Sequence, residues 1–571
     1  MYISEIRISG YRGVRNIVLP LNKDITVVIG ENNVGKSTIL DAFEKCLTAV
    51  RSDRGSAFQK ADFHLTRQGR VNEISLGVTI ALSDENEDDE EYYQRFVDFI
   101  VGKEIDEIRI QVRASLSEDG HDVVQSIAFL DSDGHEIPQV NFKKIRDVQN
   151  ALPFCCLRAL RDAETAFQGK STFWSALLNG QNFDEQQRKD LSERLLKLHA
   201  EVIDNASGFK DIVNEIGRMT GVMRQGALGT ASVRPVEQDL VQVLRYGAEI
   251  NVTTDDGSPV SLKAHGDGTK NLAVLMLFVA YLKACVLGGQ SKCVPLVAIE
   301  EPEAHLHPSG VKATWDVLRG MPGQKIIVTH SGDLIARAPV EAIRKVVKLG
   351  GEINCCRADY AFARNPVLLE AYGYFVSRYR GSILFARTWF LVEGETDVIA
   401  VEACARTLGI DFDALGVSVV EFTGYNIENL LAIADAFGLN WILMCDADQA
   451  GEDDLQACMR HVQRSNATGH YYFNRLDYHT LEVSMCMAGY GDYYINALTG
   501  DQKSIGLKSA SRKDWNIDFW CRVYNALPNK RKVSTMLRVT KDIEKSGSAV
   551  FPEDLMGIVC IAEKIGRRDG L

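Results

Sequence analysis

The sequence predicts an α/β protein built on two parallel sheets whose strands end in reactive side chains. Three observations carry this expectation. Short apolar runs end in a glycine, a carboxylate or a histidine, as at Ile29-Gly30, Ile299-Glu300, Val392-Glu393 and Cys445-Asp446. Most of these runs lead into stretches with helical apolar spacing, the strand-then-helix order that builds parallel sheets. The runs also fall into two sets, within residues 1–350 and after 388. A chain of 571 residues is long enough for several domains, and 46% hydrophobic with 25% charged residues is ordinary globular composition.

Lys and Arg number 64 against 77 Asp and Glu, a net charge of −13, which excludes a uniformly basic nucleic-acid packaging protein while leaving room for local basic patches. The apolar stretch Leu272 to Leu282 is too short to cross a bilayer and is expected to be a buried helix, so no membrane partner is expected. The opening MYISEIRISGYRG lacks the apolar core of a secretory signal, and the thirteen cysteines contain no C-x-x-C. Reduced thiols and a cytoplasmic location are expected.

The first fifty residues read as strand, turn, strand, then the β-branched run Ile25 to Ile29, a glycine, and a helix with Ile39, Leu40, Phe43 and Leu47 on one stripe. Ile74 to Ile80 and Ile108 to Val112 alternate at period two, as antiparallel strands do. The acidic run 84–91 between them is expected to be solvated. Residues 166–235 read as inserted helices, so the expected order is 1–165 and 236–375 as one interrupted domain, a second unit over 380–500, and a basic helical region over 501–571.

Gly30-Glu31-Asn32-Asn33-Val34-Gly35-Lys36-Ser37 fits G-x-x-x-x-G-K-[ST] between an apolar strand and a helix, the context that a phosphate-binding loop requires. Its glycines let backbone N–H groups turn around phosphate oxygens, Lys36 supplies a cation, and Ser37, followed by Thr38, offers a hydroxyl to Mg²⁺. ATP with Mg²⁺ is the expected ligand. The strand Leu296 to Ile299 then delivers Glu300 and Glu301, the first placed for the metal and the second to activate a water. A further strand, Ile326 to Val328, ends at Thr329-His330, where a histidine can sense the γ-phosphate.

Together these pieces resemble the ATPase heads of the ABC class, in the branch that includes SMC and RecF proteins. The resemblance implies that Glu301 is the catalytic glutamate and His330 the switch histidine. It also points to Gly266 and Gly268, in Gly266-Asp267-Gly268-Thr269-Lys270, as a diverged signature motif. In such heads ATP lies between the P-loop of one subunit and the signature of another, which implies a homodimer or higher homo-oligomer. Glu303-Ala304-His305-Leu306-His307-Pro308 resembles the continuation after Walker B in this branch, more than a metal site.

The second set of motifs is acidic. Thr388 to Val392 runs into Glu393-Gly394-Glu395-Thr396-Asp397, and Trp441 to Cys445 runs into Asp446-Ala447-Asp448, with Gly451-Glu452 following, in a β-α-β-α-β order. Open parallel sheets place chemistry at strand C-termini. Carboxylates gathered there repel one another unless cations lie between them, so one or two Mg²⁺ or Mn²⁺ ions and phosphodiester cleavage are expected. EG-x-x-D followed by D-x-D resembles a Toprim domain, and an ABC-class head joined to one resembles the OLD (overcoming lysogenization defect) family.

That resemblance implies an α/β architecture of an ABC-type P-loop head with a helical dimerisation insertion, a C-terminal Rossmann-like Toprim domain and a basic helical tail. It implies a metal-dependent DNA endonuclease, often in anti-phage defence and working beside a helicase or reverse transcriptase. Glu393, Asp397, Asp446 and Asp448 carry over as metal ligands, with Glu452 and Glu482 as further candidates. Between Lys503 and Lys545 lie 11 Lys or Arg against 4 Asp or Glu, a wall suited to DNA phosphates. Within it Lys532, with Lys530 as rival, is the candidate to stabilise charge on the reacting phosphate. Two other readings stand beside this one: an ATP-gated DNA clamp with an inactive Toprim site, and a topoisomerase, for which no tyrosine carries a local signature.

Overall fold

The structure is a computed structural model. It describes residues 1–49, 56–67, 69–82, 96–102, 106–117, 122–138, 154–157, 231–234, 249–253, 259–261, 265–272, 294–349, 352–464, 470–499, 510–546 and 550–568, with isolated positions between. The helical insertion expected over 166–235 and the acidic run 84–91 lie almost wholly outside the described residues. Two compact units are present: Met1–Val346 with Glu352–Cys355, and Cys356–Leu571 with Val347–Gly351.

The first unit contains two large sheets. One is antiparallel, ordered Val14–Pro20, Tyr2–Tyr11, Glu73–Ala81, Glu107–Leu116, with Val123–Leu130 also pairing on Glu107–Leu116. The period-two runs at 74–80 and 108–112 are therefore neighbours, with Ile74, Leu76, Val78, Ile80, Ile108 and Val112 all buried. The second sheet is ordered Phe154–Leu157, Leu296–Glu300, Gln324–Val328, Ile25–Ile29, Ile343–Leu349, Glu352–Cys356, and its first five strands run parallel. Helix Lys36–Thr48 puts Ile39, Leu40 and Phe43 into the core shared with both sheets.

Register decides which motifs meet. Glu300 pairs with Val328, and Val328 with Val28, so the P-loop, the paired glutamates and His330 leave three adjacent strands at the same end. Leu272, Leu275, Met276, Val279 and Leu282 are buried at helical spacing, as expected for that apolar stretch. No helix among the described residues is long and apolar enough to cross a membrane.

The second unit is a parallel sheet ordered Val417–Glu421, Thr388–Val392, Asn440–Cys445, Tyr471–Arg475. The helices of the basic region belong to its core: Asn529–Ser546 and Glu553–Arg568 pack on helix Glu395–Thr407, burying Met536, Val539, Ile543, Leu555 and Val559 against Ala400, Val401 and Cys404. The basic segment is thereby fixed beside the strand ends that carry the carboxylates.

Candidate functional site

In the first unit the P-loop turns through positive φ at Gly30 and Asn33 and enters its helix at Gly35. Lys36 is 5% exposed and folds onto its own loop, its Nζ donating to the Gly30 carbonyl at 2.7 Å and the Glu31 carbonyl at 2.6 Å. Burial lowers its pKa to about 8, opposed by Glu301, Glu300 and Glu31. The Ser37 hydroxyl donates to Glu300 Oε1, so the two groups expected to share a metal meet across 263 residues of sequence. A hydroxyl beside a carboxylate next to a phosphate-binding loop is a donor set that fits Mg²⁺.

Glu301 adopts φ 49°, a left-handed conformation uncommon for this residue type, and its N–H donates to the Val328 carbonyl at 2.8 Å. Its side chain is exposed. His330 is held from behind, because Glu303 Oε1 accepts from its N–H at 2.9 Å and from the Thr329 hydroxyl at 2.7 Å. Burial and the nearby Lys36 ammonium lower the His330 pKa, which keeps the imidazole neutral near pH 7. Gly266 and Gly268 open a helix that leans on the Walker B continuation: a Cβ at Gly268 would stand 2.8 Å from the His305 carbonyl, and Asn271 donates to the Ala304 carbonyl at 2.7 Å. Asn32 and Thr38 lie within the loop and its helix.

In the second unit the carboxylates meet because their strands are neighbours. Glu393 Oε1 accepts from the Asp446 N–H at 2.9 Å, joining the ends of Thr388–Val392 and Asn440–Cys445. Asp397 folds back to accept from the Gly394 N–H at 2.9 Å and is only 6% exposed. Glu482 arrives from the far side on helix Leu481–Met485, 5% exposed. Asp448 accepts from the Gly451 N–H at 2.9 Å, starting the helix Gln449–Arg464.

These groups perturb one another. Burial, then Asp397, Glu393, Glu482 and Asp448, push the Asp446 carboxyl up to about 9. Burial and Glu482 raise Asp397, and burial, with Asp448 and Asp454, raises Glu393. Carboxylates this buried and this crowded fit a divalent cation by the chemistry of the donor set. No three of their oxygens lie mutually within 4.8 Å; among the described residues that spacing occurs at Asp131, Asp133 and His135, in an exposed turn.

Lys532 lies against this cluster. Burial lowers its pKa while Glu482 and Asp446 oppose the shift, and its Nζ stands 3.3 Å from the centre of the Tyr524 ring. It precedes the buried Thr535 and Met536 by three and four residues, so it shares their inward face, whereas Lys530 is exposed.

Glu452 ion-pairs with Arg475 at 3.4 Å and is not among the acids that raise Glu393, Asp397 or Asp446. Asp454 is among the acids that raise Glu393, and its own pKa is pushed up to about 6 by burial, Asp453 and Asp448. Its spacing from the buried Gly451 and Cys458, three and four residues, puts it on the inward helix face. At Gly451 a Cβ would meet the Asp446 carbonyl at 2.0 Å, and sequence reasoning passed over Tyr524, raised by burial, Glu482, Asp446, Asp397 and Asp448. Tyr524 carried no sequence signal, because only the packing of the tail brings it there.

Uncharacterized protein YbjD of Escherichia coli K12 is 26% identical over 462 residues, covering 79% of this chain and 80% of the relative. OLD nuclease of Thermus scotoductus is 28% identical over 193 residues, 32% of this chain and 35% of that protein. A crystal structure of an SMC head bound to the C-winged helix domain of ScpA aligns at 18% identity and a TM-score of 0.41, covering 64% of this chain and all of that one. The family described as "Protein of unknown function (DUF2813)" matches residues 1–362, and "Overcoming lysogenization defect protein-like, TOPRIM domain" matches 384–448. The chain therefore belongs to the DUF2813 family and is an OLD-family fusion of an α/β ATPase domain with a Toprim domain.

Proposed function

We propose that the protein is an ATP-regulated, divalent-metal-dependent DNA endonuclease acting in anti-phage defence. The observation that carries the nuclease half is the crowd of acids at the strand ends, buried Asp397 and Glu482 with half-buried Glu393, Asp446, Asp448 and Asp454, and Lys532 at its edge. Glu393, Asp446, Asp448 and Glu482 would hold Mg²⁺ or Mn²⁺, which supplies an activated hydroxide and stabilises the leaving 3′ oxygen when bound. Asp397, the further ligand candidate, accepts from the Gly394 N–H and so holds the turn that follows Glu393. Lys532, kept inward by the Tyr524 ring, stabilises charge on the phosphate oxygens as the backbone is attacked.

In the ATPase half, Lys36 and the loop N–H groups bind the phosphates, and Ser37 with Glu300 would hold Mg²⁺. Glu301 accepts the proton of the attacking water, and His330, neutral and fixed through Glu303, donates to the γ-phosphate. Nucleotide binding joins two heads into a homodimer, and that state governs cleavage.

The test is supercoiled plasmid incubated with the full chain in Mg²⁺ or Mn²⁺, with and without ATP, beside Asp446→Ala and Lys36→Ala. Nicked or linear product that vanishes in Asp446→Ala and responds to ATP only when Lys36 is present is the expected result. Intact plasmid in every lane with ATP hydrolysis retained would instead favour an ATP-gated DNA clamp.

A further inference from the structure

The charged, aromatic stretch just before the Toprim sheet is not used by the reading above. Helix Pro366–Arg378 carries Tyr374, which remains 36% exposed and stacks on Tyr425 with ring centroids 4.2 Å apart and planes 25° from parallel. Phe375 braces Tyr425 edge-on from beneath at 5.0 Å. Arg378, one turn after Tyr374, donates to its hydroxyl at 3.0 Å and lies 6.0 Å from its ring centre. A second pair of the same kind stands nearby in sequence, with the Arg364 guanidinium 4.0 Å above the ring of Tyr360, itself 70% exposed.

This surface is tied to the carboxylate site by a short run of contacts. Arg378 pairs with Glu421, the last residue of strand Val417–Glu421, and the Glu421 N–H donates to the Tyr379 hydroxyl at 2.9 Å. The Thr423 hydroxyl bridges Glu421 Oε1, at 2.8 Å, and the carbonyl of Glu393. The stacked rings therefore stand beside the strand ends where cleavage is proposed. Their charge matches a polyanion: residues 357–387 hold five arginines against one Asp and one Glu, a local net of +3 in a chain of net −13. Exposed aromatic faces alternating with arginines bind single strands, because any base can stack and the cations follow the backbone, whereas paired bases offer no free face.

We propose that Tyr374 and Tyr425, steadied by Arg378, form a stacking platform for unpaired nucleotides of a DNA strand entering or leaving the Toprim site. The proposal rests on the nuclease reading and adds to it a preference for single-stranded or frayed DNA at that site. The experiment uses the full chain in EDTA, a short fluorescein-labelled single strand, and the blunt duplex of the same sequence, read by anisotropy. A 2-aminopurine base in the strand reports stacking directly.

Tyr374→Ala/Tyr425→Ala should weaken single-strand binding by about tenfold per ring lost and abolish 2-aminopurine quenching. Duplex binding should change by less than twofold, and Tyr374→Phe/Tyr425→Phe, which keeps both rings, should restore the quenching. Equal loss on duplex and single strand, or a lowered melting temperature that the Phe pair does not repair, would assign the rings to packing and overturn the platform. Unchanged single-strand binding in the Ala pair would overturn it while leaving the nuclease reading intact. If the wild-type chain binds neither DNA nor cuts plasmid, both readings fall together.

Discussion

The two acid-bearing sites of this protein are built on opposite electrostatic plans. Around the P-loop, opposite charges and donors are interleaved: Lys36 stands near Glu300 and Glu301, Ser37 donates to Glu300, and Glu303 takes its hydrogen bonds from Thr329 and His330. At the Toprim strand ends, Glu393, Asp397, Asp446 and Glu482 perturb one another, and Lys532 lies against Glu482 and Asp446. The first site is largely neutralised by its own residues. The second carries a clear excess of carboxylates over Lys532, an excess offset by protons or by cations from outside, and its chemistry should accordingly depend far more on metal.

The largest expected effect separates the two plans. Asp446→Ala should reduce plasmid cleavage on the order of 10⁴-fold while ATP hydrolysis stays within about twofold, because losing a ligand forfeits several kcal/mol of charge stabilisation. Glu301→Gln should do the reverse, lowering ATP turnover about 10³-fold through loss of the base while nucleotide binding, followed by equilibrium dialysis, persists. A variant of either kind that disables both activities equally would erase the distinction between the sites.

Next in size is Lys532 at the acidic site. Lys532→Met keeps the buried stem and removes the charge, and cleavage should fall about 10²-fold. Lys530→Met, on the exposed side of the same helix, should change cleavage less than about twofold. Equal losses at the two positions would make the whole helix a diffuse basic face and Lys532 one phosphate contact among several.

What the sequence disclosed follows the same division. The P-loop is continuous in the chain, and its strand and helix context is local, so Gly30 to Ser37 could be read directly. Glu300, Glu301 and His330 were legible because each ends an apolar strand, and sheet order then places those strands side by side. The acidic site was legible only in its strand-end members. Glu393, Asp446 and Asp448 carry local signals, but Tyr524 and the inward turn of Lys532 depend on the tail helices packing on Glu395–Thr407, a contact more than a hundred residues away in sequence. Asp454 went unread because its place depends on the helix face, which the buried Gly451 and Cys458 define. Almost all of the inserted region 166–235 lies outside the described residues, its end Ala231–Arg234 being a strand paired with Glu249–Thr253 and not a helix, and its proposed dimer role rests on resemblance.

The smallest expected effect is also the most direct probe of the like-charge plan. If Asp446 is held in a crowd of buried acids, then Asp446→Asn, which keeps its shape, should stabilise the metal-free protein even as it removes cleavage. Burial and four neighbouring carboxylates push Asp446 up to about 9, so near pH 7 the folded state binds a proton that the unfolded chain has already released. An acid raised in this way costs stability progressively as pH climbs from its unfolded value towards its folded one, and the amide has no such cost. Thermal melts in EDTA should therefore show Asn above wild type by about 1–3 kcal/mol at pH 8, shrinking towards zero near pH 4. Added Mn²⁺ should raise the wild type more than the variant and narrow or invert the gap, since metal binding favours the deprotonated ligands that the variant lacks. A destabilised Asn variant at every pH would mean that the Asp446 carboxylate is already satisfied by the protein alone, and the contrast between the two sites would vanish.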